Sequence, residues 1–160
     1  MRKILEAIAI AAFGAAIATP GMAQSFSDYD DVLRTLDKGI ASNPEDSRLY
    51  ATRCYVRAMR GGILKGALTD CNKADELDPH NARVLNLRAL IQYRMEDFAA
   101  AVADSSAALA LKPELASSFY VRGLARMRSG DTAGGNSDVD TAKKLDPDVA
   151  DICAREGVRP

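Results

Sequence analysis

The chain reads as an all-α solenoid of stacked helix–turn–helix units, and three observations carry that reading. Pro44, Pro79, Pro113 and Pro147 recur at intervals of 35, 34 and 34 residues, a period that marks supersecondary units repeated along a chain. Ahead of the last three prolines, apolar and small residues recur at helical spacing. Leu77, Leu111 and Leu145 stand two before, Ala74, Ala108 and Ala142 five before, and Cys71, Ser105 and Val139 eight before. Upstream in each unit lies a second periodic stretch, set off by Gly61-Gly62, Glu96-Asp97 or Gly130-Asp131.

Residues 1–23 have the features of an export signal. Arg2 and Lys3 form a basic start, Ala7 to Ala18 an apolar run, and Gly21-Met22-Ala23 offers small residues for cleavage after Ala23. The apolar run is too short to span a ~30 Å hydrocarbon core, so no stable membrane anchor is expected. Removing Arg2, Lys3 and Glu6 takes the net charge from −1 to −2. Such a balance gives no electrostatic reason to bind nucleic acid. The expected location is the bacterial periplasm.

The mature domain, 24–160, then divides by its punctuation. A half-repeat at 28–44 holds one helix, with Val32, Leu36 and Gly39 on its packing face before Pro44. Three full repeats follow at 46–79, 80–113 and 114–147, each a helix A, a short break and a helix B. Each helix B stops near its proline, which lacks the N–H that another turn would need. In the first repeat Arg53 lies 26 residues before Pro79, against 25 for Arg88 and Arg122. One extra residue at Gly61-Gly62 accounts for this, since glycine accepts positive φ. A capping helix at 148–157 ends at Gly157, and terminal half-units cover faces that a solenoid would otherwise expose.

The 34-residue period, the blocks Tyr50-x-x-Arg53-Cys54, Leu85-x-x-Arg88-Ala89 and Phe119-x-x-Arg122-Gly123, and the Leu-Asp-Pro closing helix B at Leu77 and Leu145 resemble a tetratricopeptide (TPR) repeat. Phe119 to Pro147 is the best-matching segment, and the resemblance covers residues 28 to about 157. It implies a right-handed solenoid of three TPR repeats between half-repeats. It also implies a concave groove, lined by helix A residues off the packing stripe, that accepts a partner segment. The residues so placed are Arg48, Tyr55, Met59, Arg83, Asn86, Leu90, Tyr93, Arg94, Tyr120, Leu124, Met127 and Arg128. Tyrosine, methionine and arginine are enriched in interfaces, although arginine stems also cover apolar surface. The lysines and asparagines with which some members clamp a C-terminal carboxylate are replaced here by Ala51, Tyr55, Leu87, Ser117 and Val121. The expected ligand is therefore an apolar or aromatic segment with some negative charge.

Asp70, Asp104 and Asp138 each stand nine residues before a closing proline, and each full repeat carries one arginine, Arg53, Arg88 or Arg122, at the matching place in helix A. The half-units hold Thr35 and Glu156 at these places. Pairing within a repeat leaves no orphan, whereas pairing between neighbours strands Arg53 and Asp138. Structural ion pairs between helices A and B are expected, in preference to arginines arranged for an anionic ligand.

Cysteines are the least settled element. A Cys54–Cys71 disulfide across the first hairpin is conceivable in an oxidising compartment. Antiparallel packing, counted from the glycine turn, places Cys54 level with Ala67 and Cys71 level with Tyr50, an axial offset of ~6 Å. That offset and their place on the apolar stripe, where free cysteine packs as a small hydrophobe, favour three free thiols.

Catalytic chemistry has no candidate residues. His80 is the only histidine, so no usual zinc spacing is available, and a serine nucleophile would lack a base. Asn136 to Asp140 resembles the start of a calcium loop, but Thr141 and Pro147 stand where its glycine and glutamate should fall. No cofactor or metal is expected. The sequence predicts a non-enzymatic adaptor for another protein or peptide. A self-associating structural component is the alternative, and a small hydrolase a remote one.

Overall fold

A computed structural model describes residues 26–160, with side chains from Tyr29 onward; the segment read as an export signal lies outside these residues. Eight α-helices follow in order among them: α1 (Phe26–Ser42), α2 (Ser47–Arg60), α3 (Leu64–Leu77), α4 (Ala82–Arg94), α5 (Phe98–Leu111), α6 (Ala116–Arg128), α7 (Thr132–Leu145) and α8 (Val149–Arg155). The pairs α2/α3, α4/α5 and α6/α7 are the three hairpins, α1 packs on α2, and α8 packs mainly on α6. The A helices α2, α4 and α6 also touch in sequence, as a solenoid requires.

Local chemistry sets the boundaries. The carboxylates of Asp46, Asp97 and Asp131 and the amide oxygen of Asn81 accept backbone N–H bonds at the starts of α2, α5, α7 and α4, satisfying donors that a helix start leaves open. Each hairpin turn has three residues. In the second and third, one of them takes positive φ: Glu96 at 64° and Gly130 at 96°. The first turn has two, Gly61 at 77° and Gly62 at 75°. The extra residue of repeat one is therefore not in the Gly61-Gly62 turn, as the sequence reading placed it, but in the last turn of helix A: α2 has 14 residues against 13 in α4 and α6.

The core is built from small residues at the hairpin crossings. Ala58, Ala67, Ala89, Ala101, Ala108, Ala125 and Ala142 are fully buried, which lets helix axes approach closely. The third hairpin is tightest: a Cβ on Gly123 would fall 2.8 Å from the Gly135 carbonyl oxygen, and one on Gly135 2.5 Å from Met127 Cγ. A smaller cluster of Val32, Leu36 and Val56, with Tyr29, Leu33, Leu49 and Tyr55 against it, fixes α1 to the array.

Cys54 and Cys71 are joined in a disulfide, with their Cα atoms 5.4 Å apart. This corrects the expectation of three free thiols. The turn spans Gly61, Gly62 and Ile63, so the hairpin is centred on Gly62 and not ahead of Gly61. Cys54 then lies opposite Asp70 and Cys71 opposite Arg53, an offset of only one residue, ~1.5 Å. The positions of Cys54, Ala89 and Gly123 correspond, as do those of Cys71, Ser105 and Val139. In the third repeat this pair of positions is also in contact, a Gly123 Cβ falling 2.9 Å from Val139 Cγ2. Cys153 is free and buried.

Candidate functional site: the cleft on the A-helix face

Ion pairs lock the hairpins that shape this face. Arg53 Nη2 lies 2.6 Å from Asp70 Oδ1, Arg88 Nε 2.6 Å from Asp104 Oδ2, and Arg122 Nη2 2.7 Å from Asp138 Oδ1. Each arginine uses its fork bidentately on the aspartate, the geometry that suits guanidinium to carboxylate. Each also reaches back one helix. Arg53 meets Asp37 at 2.7 Å, Arg88 meets Asn72 at 3.3 Å and Asp75 at 2.9 Å, and Arg122 meets Ser106 at 3.4 Å. The within-repeat pairing read from sequence therefore coexists with contacts between repeats. The sequence reading missed the acceptors, although Asp37, Asn72 and Ser106 all stand seven residues before a proline.

Between α2 and α4 opens a cavity of about 350 Å³. From α2 it is lined by Ser47, Arg48, Ala51, Thr52 and Tyr55, and from α4 by Arg83, Val84, Asn86, Leu87 and Leu90. Asn81, Lys112, Leu115 and Glu156 close its edges. Its floor is apolar, and the cations Arg48, Arg83 and Lys112 stand at the exposed rim. The Arg48 fork holds Asp46 at 2.8 Å, and Asn86 accepts a 2.7 Å bond from the buried Ser118 hydroxyl. Burial pushes the Tyr55 phenol up to about 12, with the neighbouring Glu156 and Tyr29 adding to the shift.

Five of the twelve residues expected in a groove line this cavity: Arg48, Tyr55, Arg83, Asn86 and Leu90. The other seven do not. Met59 and Met127 pack against the core. Tyr93, Tyr120 and Leu124 are buried, which corrects their reading as a presented surface. For the two tyrosines the reason is the C-terminal segment, which the sequence reading took only as an end cap. Tyr120 is buried in the same cluster as Cys153 of α8, which packs on α6. The Tyr93 hydroxyl donates to the Arg159 carbonyl at 2.7 Å, and Val158 is fully buried in the same cluster. Arg94 donates to the Ala58 carbonyl at 2.7 Å and packs on Gly157. Arg128 covers the Phe98 ring at 5.0 Å.

Burial dominates the electrostatics where the tail meets α4. It pushes the Glu156 carboxyl up, and the nearby Arg94 guanidinium only partly holds it down. The Arg94 guanidinium is itself pulled down by burial, against the same attraction. Sequence did signal something unusual here, because Glu156 stands in register with Arg53, Arg88 and Arg122. Among the described residues no cluster of His, Cys, Asp or Glu is arranged to hold a metal.

No protein-family model matches the chain. Among curated proteins it is similar to the SGT1 homolog of Bos taurus, 29% identical over 101 residues that cover 59% of this chain and 30% of that one. The human SGT1 homolog is 31% identical over 85 residues, covering 49% of this chain and 23% of the relative. The chain thus spans less than a third of the curated relatives it matches. Among solved structures, MamA from Desulfovibrio magneticus RS-1 superposes with a TM-score of 0.70 at 21% identity, covering 76% of this chain and 68% of that one. The first TPR domain of Spaghetti (RPAP3), solved with an HSP90 peptide, superposes at 0.53 with 18% identity, covering 86% and 96%. Likeness at these identities shows the fold, a TPR-type helical solenoid.

Proposed function

We propose that the protein is a non-enzymatic adaptor that holds a segment of a partner protein in the cleft between α2 and α4. The observation that carries this reading is the cavity itself, an apolar floor of Ala51, Val84, Leu87 and Leu90 beneath Arg48, Arg83 and Lys112. Such a site suits a segment that offers an apolar side chain downward and carboxylates to the rim, with few polar groups placed to orient it. The Spaghetti domain was solved with the HSP90 peptide SRMEEVD, which supports peptide capture by this kind of fold. The Ala51, Tyr55 and Leu87 replacements argue against a clamp for a terminal carboxylate.

We further propose that the protein works in the periplasm. Support comes from the basic, apolar and small-residue pattern of residues 1–23 and from the Cys54–Cys71 bond, since disulfides persist chiefly in oxidising compartments.

The test is a titration with 12-residue peptides, acidic-apolar against basic-apolar, using wild type and the Arg48→Glu/Lys112→Glu variant. Preferential binding of the acidic set, weakened at least about tenfold in the variant and by added salt, is the expected result. Equal affinity for both sets, or binding indifferent to the double substitution, would remove the cleft from the function.

A further inference from the structure

The A-helix face continues past the cavity onto α4 and α6, and there the chain covers it with itself. Helix α8 ends in a reversal at Gly157, φ 82°, with the Val158 N–H bonded to the Cys153 carbonyl at 2.9 Å and the Gly157 N–H to the Ala154 carbonyl at 3.1 Å. This pattern ends a helix and redirects the backbone. The redirected segment crosses the face: Gly157 lies on Arg94, Val158 is fully buried, and the Arg159 carbonyl takes the Tyr93 hydroxyl bond at 2.7 Å.

An end cap needs only its helix. The contacts of residues 156–160 reach Tyr93 and Arg94, which belong to repeat two, 62 or more positions back along the chain. One aliphatic side chain in a pocket, with the next carbonyl held by a fixed hydroxyl, is how an extended peptide is recognised: an anchor plus a main-chain bond. Glu156, at the start of this segment, also forms one edge of the α2–α4 cavity.

We propose that residues 156–160 are a resident ligand of the A-helix face, and that the surface beneath them is a second peptide subsite. It fits an extended partner segment with a small aliphatic residue followed by an accepting carbonyl, in place of Val158 and Arg159. The proposal rests on the adaptor reading, because a partner long enough to use both subsites must displace the tail. Held in cis, the tail competes at an effective concentration of order millimolar.

The experiment compares the full chain, a chain ending at Arg155, and the full chain with Val158→Asp. The probe is a fluorescein-labelled peptide of residues 156–160. Binding at least about tenfold tighter to the two altered chains than to the full chain is expected. Equal binding to all three, or none to any at millimolar concentration, overturns the proposal. Labelling of Cys153, the one thiol outside the disulfide, checks that α8 stays docked. Should both altered chains expose it, amide exchange in the unaltered chain decides. Strong protection of the Val158 N–H supports a seated tail, and exchange at the free-peptide rate overturns it. The two readings separate cleanly: an acidic-apolar peptide that binds all three chains, while the 156–160 peptide binds none more tightly than another, keeps the adaptor and eliminates the resident ligand.

Discussion

Arg57 Nη1 lies 2.6 Å from Asp70 Oδ2, on the carboxylate that Arg53 already holds from the neighbouring turn. Arg126 repeats the arrangement on Asp138 at 2.8 Å. The second repeat breaks it, with Gln92 at this place and its Oε1 buried without a hydrogen-bond partner. Replacing Gln92 by arginine should give Asp104 its second cation and remove the stranded acceptor. Unsatisfied buried groups cost ~1–3 kcal/mol. A gain of about 1 kcal/mol is expected, read as a rise in thermal midpoint of roughly 4 °C. A fall in midpoint would mean that the α4/α5 crossing cannot admit the longer side chain.

The second turn offers a parallel test. Glu96 takes φ 64°, where the third repeat uses Gly130 at 96°. A side chain in the left-handed region costs about 1–2 kcal/mol, of which glycine's extra unfolded freedom returns a part. Glu96→Gly should therefore stabilise by about 0.5 kcal/mol, measured as a shift in urea midpoint at unchanged slope. Glu96→Ala, which keeps a Cβ at positive φ, should bring no such gain.

These sites also mark what was legible in the sequence. The period, the helix pairs and the Arg53, Arg88 and Arg122 positions could be read because each repeats in register, so three weak signals reinforce one another. The disulfide was misread because it turns on where a glycine turn is centred: moving the centre from just ahead of Gly61 onto Gly62 shifts the partner of Cys54 from Ala67 to Asp70, and turn centres carry no periodic signal. The tail was misread for a different reason. Its partners, Tyr93 and Arg94, lie two units back, and repeat logic relates each unit only to its neighbours. Their own residue types gave no warning, since tyrosine and arginine suit an open groove and a covered one equally well.

Glu156 gives stability a pH dependence whose sign follows from its surroundings. Burial raises its folded-state pKa above the ordinary 4.5, with Arg94 opposing. The protonated form is the one the fold favours. Its contribution is fully present below the unfolded pKa and is lost as pH rises through the folded one. Glu156→Gln should stabilise at pH 7 and change little at pH 4. Denaturant midpoints for both chains at the two pH values check this, and an identical difference at each would refute it.

The glycines of the third hairpin set its helix spacing. A methyl on Gly135 would fall 2.6 Å from the Gly123 carbonyl and 2.5 Å from Met127 Cγ. Met127 is flexible and could yield, but the carbonyl belongs to α6 itself. Gly135→Ala gains helix propensity of up to ~1 kcal/mol, yet overpacking of this kind costs ~1–3 kcal/mol. The expected net is a loss of about 1 kcal/mol in urea unfolding. Gly134→Ala serves as the control: the atoms nearest its Cβ would be those of the Asp131 side chain, at 2.3 Å from Oδ2, so its cost falls first on the cap.

Repeat symmetry finally suggests where a second crosslink would form. Ala89 and Ser105 occupy in repeat two the positions of Cys54 and Cys71, and both are fully buried. The Ser105 hydroxyl has no hydrogen-bond partner, so replacing it removes a destabilising group before any bond forms. The bridged positions of repeat one have Cα atoms 5.4 Å apart, well inside the range that a disulfide needs. An Ala89→Cys/Ser105→Cys chain should oxidise spontaneously, leaving Cys153 as the single free thiol. Closing a loop of this length stabilises by ~3 kcal/mol on chain-entropy grounds. The readouts are a thiol count under denaturing conditions and a thermal midpoint that falls on reduction. Three titratable thiols in the oxidised, unfolded chain would mean that the two hairpins differ in register by more than their sequences imply.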